Sequence, residues 1–156
     1  KLRRLKHHSI DKFPTNGFTA LEDTLVKNKE EAVAIAQGYA MGTLFALSNP
    51  EAAIRIMWDI WPQTKSTSKD EATALKHDIS TLHARAVSWR LEASGAKKWG
   101  ENLVGNYQTY FDWLLANGTV KEKASAQDVV DNSLLDDINK FDSAAVIKAA
   151  KEWKAK

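Results

Sequence analysis

The residues of this chain best suited to metal binding or proton transfer near neutral pH are its four histidines, His7, His8, His77 and His83. His77 and His83 lie on one predicted helix, but six residues turn a helix by about 240°, so the two rings point to different sides. The HExxH pattern of zinc proteases does not occur in the sequence. The histidines therefore predict no metal site.

Serine, histidine and aspartate are all present, but no motif predicts that they meet. The sequence contains no GxSxG turn, no P-loop and no GxGxxG turn. Two acidic pairs, Glu30–Glu31 and Asp136–Asp137, fall at predicted helix starts, where the helix dipole favours negative charge. We therefore predict that the chain is not an enzyme and uses no cofactor.

The composition is that of a soluble globular protein with one sizeable core. The chain has 156 residues, of which 44% are hydrophobic and 27% charged. Its net charge of +2, from 22 basic and 20 acidic residues, is too balanced to predict nucleic-acid binding. There is no cysteine, which excludes disulfides and fits an exported protein. The longest apolar run, residues 32–47, contains Gln37 and is too short for a membrane span, so it predicts a buried helix.

Helix start and stop signals predict five or six helices. Capping residues and a proline mark three starts, at Asn28, at Asn49–Pro50 and at Asp70 or Ser68. These helices are expected to end near residues 47, 61 and 91. The next helix spans about 99–116 and ends at Asn117–Gly118. Its apolar stripe, which is expected to face the core, consists of Leu103, Tyr107, Tyr110, Phe111 and Leu114. Two short helices follow, at about 134–140 and, after a cap at Asp142 or Ser143, at 143–154.

Two further features predict close helix packing. Gly38 and Gly42 form a GxxxG pattern on the first long helix, which in a water-soluble protein favours a close helix contact. Most of the tryptophans are expected in core positions, with Trp58 and Trp61, beside Pro62, also considered as ligand contacts.

One stretch, FPTNGFTAL at residues 13–21, does not have a helical pattern. Asn16–Gly17 is a turn signal, and the short flanks are typical of strands. A single strand cannot satisfy its own backbone, so the stretch either forms a small hairpin or pairs with strands outside this chain. The predicted fold is mainly α, with one short hinge-type strand or hairpin.

Several motifs, taken in order, resemble a known family. FPTNGFTAL is similar to the return strand of that family, and the segment from Asn28 to Met57 is similar to its paired helices with an asparagine-proline start. YFDWLLANGTV is similar to the end of one of its helices, and VVDNSLLDDINKFD is similar to its closing segment. Together they cover about residues 10–142. The chain thus resembles the C-terminal part of the periplasmic solute-binding proteins of ABC importers, in the group that takes sulfonates, nitrate, taurine and thiamine precursors.

The resemblance implies a two-lobed α/β binding protein of type II fold, of which this chain is a fragment. Residues 1–21 are then a basic N-terminal segment with the hinge strand, residues 22–156 are helices of the first lobe, and the lobes upstream are absent. The implied protein is periplasmic and delivers a small organic or anionic ligand from an interlobe cleft to a membrane permease. The residues nearest that cleft are Thr15, Asn16, Gly17 and Phe18.

Three alternatives remain open. Thr15-Asn16-Gly17 can be only a turn. The chain can be a helical interaction or scaffold domain that binds no ligand. An enzyme on the same fold would need a catalytic histidine near the hinge, and His7 and His8 are the candidates. In each case apolar helix faces without a sheet require another cover, either one another or a second copy of the chain.

Overall fold

The computed structural model describes residues 12–14, 16–91 and 95–155, and these are mainly helical, as predicted. Within this part of the chain no strand is formed. The α-helices are α1 (Glu22–Lys27), α2 (Lys29–Ser48), α3 (Pro50–Ile60), α4 (Glu71–Ala86), α5 (Val104–Ala116), α6 (Leu135–Ile138) and α7 (Ser143–Glu152). Short 3-10 turns lie at Pro62–Thr64 and Ala126–Asp128.

Three of the predicted N-caps are confirmed. The side chain of Asn49 accepts a hydrogen bond from the backbone N–H of Ala52 at 3.0 Å, and Pro50 follows at the first position of α3. Asp70 caps α4 and Asp142 caps α7 in the same way. The predicted end of α5 is also confirmed, because Gly118 has φ +68°, the left-handed conformation that glycine adopts without strain.

Other boundaries differ from the prediction for local reasons. Asn28 precedes α2, but its side chain makes no capping bond, and it also ends α1, a helix that was not predicted. α4 ends at Ala86 rather than near Leu91. α5 begins at Val104 rather than Trp99, because the backbone groups of residues 99 and 102 bond to asparagine side chains instead of joining the helix.

The strand predicted near residues 18–21 is not formed, because no partner strand runs beside it in the described part of the chain. The chain bends at Asn16 without a turn hydrogen bond among the described residues, and residues 17–21 remain irregular until α1 begins at Glu22. Of the other flank of the proposed hairpin, residues 10–13, residues 10 and 11 lie outside the described residues, as do His7 and His8.

The core between the helices is thin. α3 packs on α4 through Ile54, Trp58 and Ala74. α2 contacts α1, α3, α6 and α7. Of the nine buried hydrophobic residues six are alanines, and no large side chain is fully buried among the described residues. Trp58 is in the core as predicted, whereas Trp61 is 53% exposed. Small side chains thus let the helices approach closely but bury little apolar area.

The outer face of α2 is uncovered. After Glu31 this helix carries no charged residue and only three polar ones, Gln37, Thr43 and Ser48, so apolar residues lie on every side of it. The exposed residues on its outer face are Ala34, Ile35, Gly38, Tyr39 and Gly42. The GxxxG prediction of a close contact is wrong within this structure, since a Cβ built on either glycine meets nothing within 4 Å. A helix that is apolar all round is normally buried, so this face is expected to have a cover in the finished protein.

Amide side chains join the loops of the second half of the chain to its helices. Asn139 accepts a hydrogen bond from the N–H of Trp99 at 3.0 Å and donates to the carbonyls of Trp99 at 2.9 Å and Leu135 at 2.8 Å. Asn132 and the backbone of Asn102 make a similar two-way pair. These asparagines thus satisfy backbone N–H and C=O groups of residues 99 and 102, which lie outside the helices.

We expect Asn139→Asp to lower the free energy of unfolding by about 2–3 kcal/mol, because the carboxylate cannot donate and faces two carbonyl oxygens. Urea unfolding at neutral pH measures the effect. Asn106→Asp is the control, since Asn106 lies in the first turn of α5, where a negative charge is tolerated, and its side chain makes no hydrogen bond. Equal midpoints for the two variants would contradict the assigned role of Asn139.

Candidate functional site

The predicted site residues lie on a segment that crosses from α5 to α2. We define the crossing segment as residues 12–14 and 16–18. Its first anchor is Phe13, whose half-buried ring lies 5.1 Å from the ring of Tyr110 and 5.4 Å from that of Trp113. Tyr110 and Trp113 are nearly parallel, with an interplanar angle of 11°. Aromatic contacts therefore hold the segment on α5.

The second half of the crossing segment reaches α2. Gly17 passes close to α5, where a Cβ in its place would lie 3.5 Å from the hydroxyl of Tyr107. That hydroxyl donates a hydrogen bond to Oδ1 of Asn102 at 3.2 Å. Phe18 packs edge-on against Tyr39 of α2, with ring centroids 5.5 Å apart. The segment thus links the two helices without pairing its backbone to either.

Three of the four predicted site residues are therefore close together and open to solvent. Asn16, Gly17 and Phe18 are all exposed, and Phe18 keeps 66% of its surface accessible. Thr15 lies outside the described residues.

Sequence reasoning missed the aromatic partners of these residues. Tyr107 and Tyr110 were assigned to the core stripe of a helix and Tyr39 to a buried helix, yet Tyr39 is 59% exposed. The signal available in the sequence was the aromatic density of α5, which carries Tyr107, Tyr110, Phe111 and Trp113 within two turns. Tertiary packing decides which segment of the chain contacts these aromatic rings, so the sequence alone did not identify it.

The site is suited to binding. Asn16 offers an amide, Gly17 a backbone N–H, and Phe18 and Tyr39 offer aromatic faces, the mixture of apolar surface and few polar groups that small-molecule sites use. The described residues do not enclose a cavity around it. A shallow, open depression lies along α7, away from these residues, at Ala144, Ile147, Lys148, Lys151 and Glu152.

A second polar cluster surrounds Asp78 on α4. Its Oδ2 accepts hydrogen bonds from Nε1 of Trp58 at 2.8 Å and from the N–H of Ser66 at 3.2 Å, and the Ser66 hydroxyl donates to Oδ1. Burial by itself raises the pKa of the Asp78 carboxyl, but the hydrogen bonds from Ser66 and Trp58 outweigh it, so the pKa lies below its ordinary value. The ionised carboxylate holds the linker after α3 against α4.

This cluster also contains a histidine, but its geometry is not that of a catalytic triad. Nδ1 of His77 lies 3.3 Å from the hydroxyl of Ser66. In a triad the carboxylate bonds to the imidazole and orients it as a base, whereas Asp78 bonds to the serine itself. We therefore assign the cluster to stability.

The described residues give no sign of a metal centre. They contain no group of three or more histidine, aspartate or glutamate side chains placed to hold an ion. His77 and His83, which the sequence placed on different sides of one helix, are both exposed on α4. Over the same described ranges, none of the helices combines the length and the apolar character that crossing a membrane requires.

Comparisons with known proteins identify no relative of the chain. No family model matches it, and searches of curated proteins and of solved structures return no match. The family resemblance of its motifs therefore remains a prediction.

Proposed function

We propose that the chain is part of the solute-binding component of an ABC importer. In this proposal it belongs to a periplasmic protein that captures a small organic or anionic ligand between two lobes and delivers it to a membrane permease. Ligand capture depends on binding and on closure of the lobes, and no covalent step occurs. The order of the motifs between residues 10 and 142 supports this assignment.

The contact between Phe18 and Tyr39 is the observation that carries the proposal. Tyr39 lies on the uncovered face of α2, and Phe18 brings the exposed Asn16–Gly17 turn to the edge of that face. A helix apolar on every side requires a cover. In a two-lobed binding protein a sheet from elsewhere in the polypeptide would supply it, and the turn would then lie at the border between lobes.

The chemistry of the turn fits the ligand class. An exposed backbone N–H and a side-chain amide can bind the oxygens of an anion, while the rings of Phe18 and Tyr39 can pack on an organic body.

The second candidate function is a helical interaction domain without a ligand. It is favoured by the empty space over Gly38 and Gly42, which lets a helix of a partner or of a second copy approach the backbone of α2. This candidate predicts a concentration-dependent oligomer and no response to small molecules.

A thermal-shift screen tests the ligand proposal. The chain is measured alone and within any longer polypeptide that carries it, against sulfonates, nitrate, carboxylates, aromatic acids and pyrimidines. At a concentration of about 100 times Kd a ligand adds about 2.7 kcal/mol of stability. For a chain of this size that raises Tm by about 5–10 °C.

Two variants locate the effect. Phe18→Ala is expected to remove the shift, and Leu21→Ala is the control, because Leu21 is also exposed but does not contact Tyr39 through a ring. A shift that survives Phe18→Ala places the ligand elsewhere. If no polypeptide containing the chain responds to any ligand, the solute-binding proposal fails and the interaction domain becomes the better account.

A further inference from the structure

The chain contains two asparagine-glycine pairs, Asn16–Gly17 and Asn117–Gly118. In such a pair the backbone nitrogen of the glycine can attack the side-chain carbonyl carbon of the asparagine, since glycine has no Cβ to obstruct the approach. A bond forms between that nitrogen and Cγ, the bond from Cγ to Nδ2 breaks, and ammonia leaves. Water then opens the cyclic imide to aspartate or isoaspartate. In the structure the two pairs differ in whether hydrogen bonds hold their reacting groups.

Both reacting groups of the second pair are engaged. Nδ2 of Asn117 donates a hydrogen bond to the carbonyl of Trp113 at 2.8 Å. The N–H of Gly118 donates to the carbonyl of Leu115 at 3.0 Å, in the left-handed turn that ends α5. The attacking nitrogen and the amide it would attack are thus held by separate bonds, and both must break before they can meet.

Both reacting groups of the first pair are free. Asn16 and Gly17 are exposed, and neither makes a hydrogen bond to any described part of the chain. Gly17 also lacks the left-handed backbone that locks Gly118.

We propose that Asn16 is a site of spontaneous deamidation and that folding protects Asn117 from the same reaction. The reaction converts a neutral amide of the candidate site into a carboxylate, next to Phe18 and the backbone N–H of Gly17. The isoaspartate product also routes the main chain through the former side chain, which changes the path of the crossing segment. The inference rests on the geometry of the two pairs and is independent of any importer function.

Peptide mapping of the full chain tests this. After incubation at mildly alkaline pH, trypsin releases residues 13–27 with Asn16 and residues 99–121 with Asn117, and tandem mass spectrometry locates the replacement of NH2 by OH. We expect Asn16 to convert at least about tenfold faster than Asn117, because opening the second pair requires breaking two hydrogen bonds. In denaturant the two rates should become similar.

Gly17→Ala provides a matched variant. Its Cβ would make only an ordinary contact with Tyr107 at 3.5 Å, so the fold tolerates it, while the added methyl obstructs the attack at Asn16 and slows its conversion. Equal rates at Asn16 and Asn117 in the folded chain would overturn the proposal. So would an Asn16 that is stable in the folded chain but converts in denaturant.

Discussion

Replacing Asp78 with alanine is expected to lower the free energy of unfolding by about 3–4 kcal/mol, among the largest effects of any single substitution. The carboxylate accepts two N–H bonds, from Trp58 and Ser66, and one from the Ser66 hydroxyl. Without it, the buried Nε1 of Trp58 has lost its acceptor. Urea unfolding followed by tryptophan fluorescence measures the loss, and Asp59→Ala, an exposed aspartate on α3, is the control at about 0.5 kcal/mol or less.

The difference in unfolding free energy between the wild type and Asp78→Ala should depend on pH. Because the pKa of Asp78 is lower in the folded chain than in the unfolded one, ionisation of this carboxyl stabilises the fold above the unfolded pKa of about 3.9. The contribution is lost as the pH falls through the folded pKa. The difference in stability between the wild type and Asp78→Ala should therefore be constant near neutral pH and shrink below about pH 4. A difference unchanged in stronger acid would show that the ionised carboxylate does not hold Trp58.

Ala150→Leu is expected to cost about 2–3 kcal/mol, because α7 lies against α2 and Ala150 has no exposed surface. The carbonyl of Ala150 also accepts a hydrogen bond from Asn49 at 2.7 Å, so a displaced helix would break that link between α7 and the start of α3.

The neighbouring Ala149→Leu is the matched control for that substitution. Residue 149 is exposed on the same helix, and leucine and alanine have similar helix propensities there, so its midpoint in urea should change little. If both variants unfold at the wild-type midpoint, the contact between α2 and α7 is not close-packed.

The parts of the fold that the sequence predicted are those with local causes. Each helix cap acts on the turn of helix next to it in sequence, as at Asn49, Asp70 and Asp142. Gly118 likewise ends the helix just before it. Short sequence patterns were therefore enough to predict these helix boundaries. The late start of α5 could not be predicted in this way, because residues distant in sequence, Asn132 and Asn139, hold the loop before it.

The same division applies to the candidate site. The Asn16–Gly17 pair predicts an exposed break in regular structure from sequence alone, and both residues are exposed, although the structure has a bend at Asn16 and not a hydrogen-bonded turn. Their surroundings do not follow, because Tyr39 and Tyr107 come from two helices whose relative position depends on the whole packing. A periodic apolar pattern assigned Tyr107 to the core side of its helix, whereas Tyr39 was expected to be buried because it lies in the uncharged run 32–47. Such a run does not indicate which face of the helix will be covered.

The asparagine pairs around the loop before α5 and the carboxylate of Asp78 divide the molecule by the charge of the groups that hold its loops. Amides carry no charge, so the bonds of Asn139 and Asn132 are not weakened by added salt. The surface ion pairs beside them, such as Lys29 with Asp137, contribute little in any case. The linker after α3 instead depends on a charged carboxylate. Acid should therefore weaken the contact of Asp78 with the linker, while the amide bonds of Asn139 and Asn132 keep their donors and acceptors.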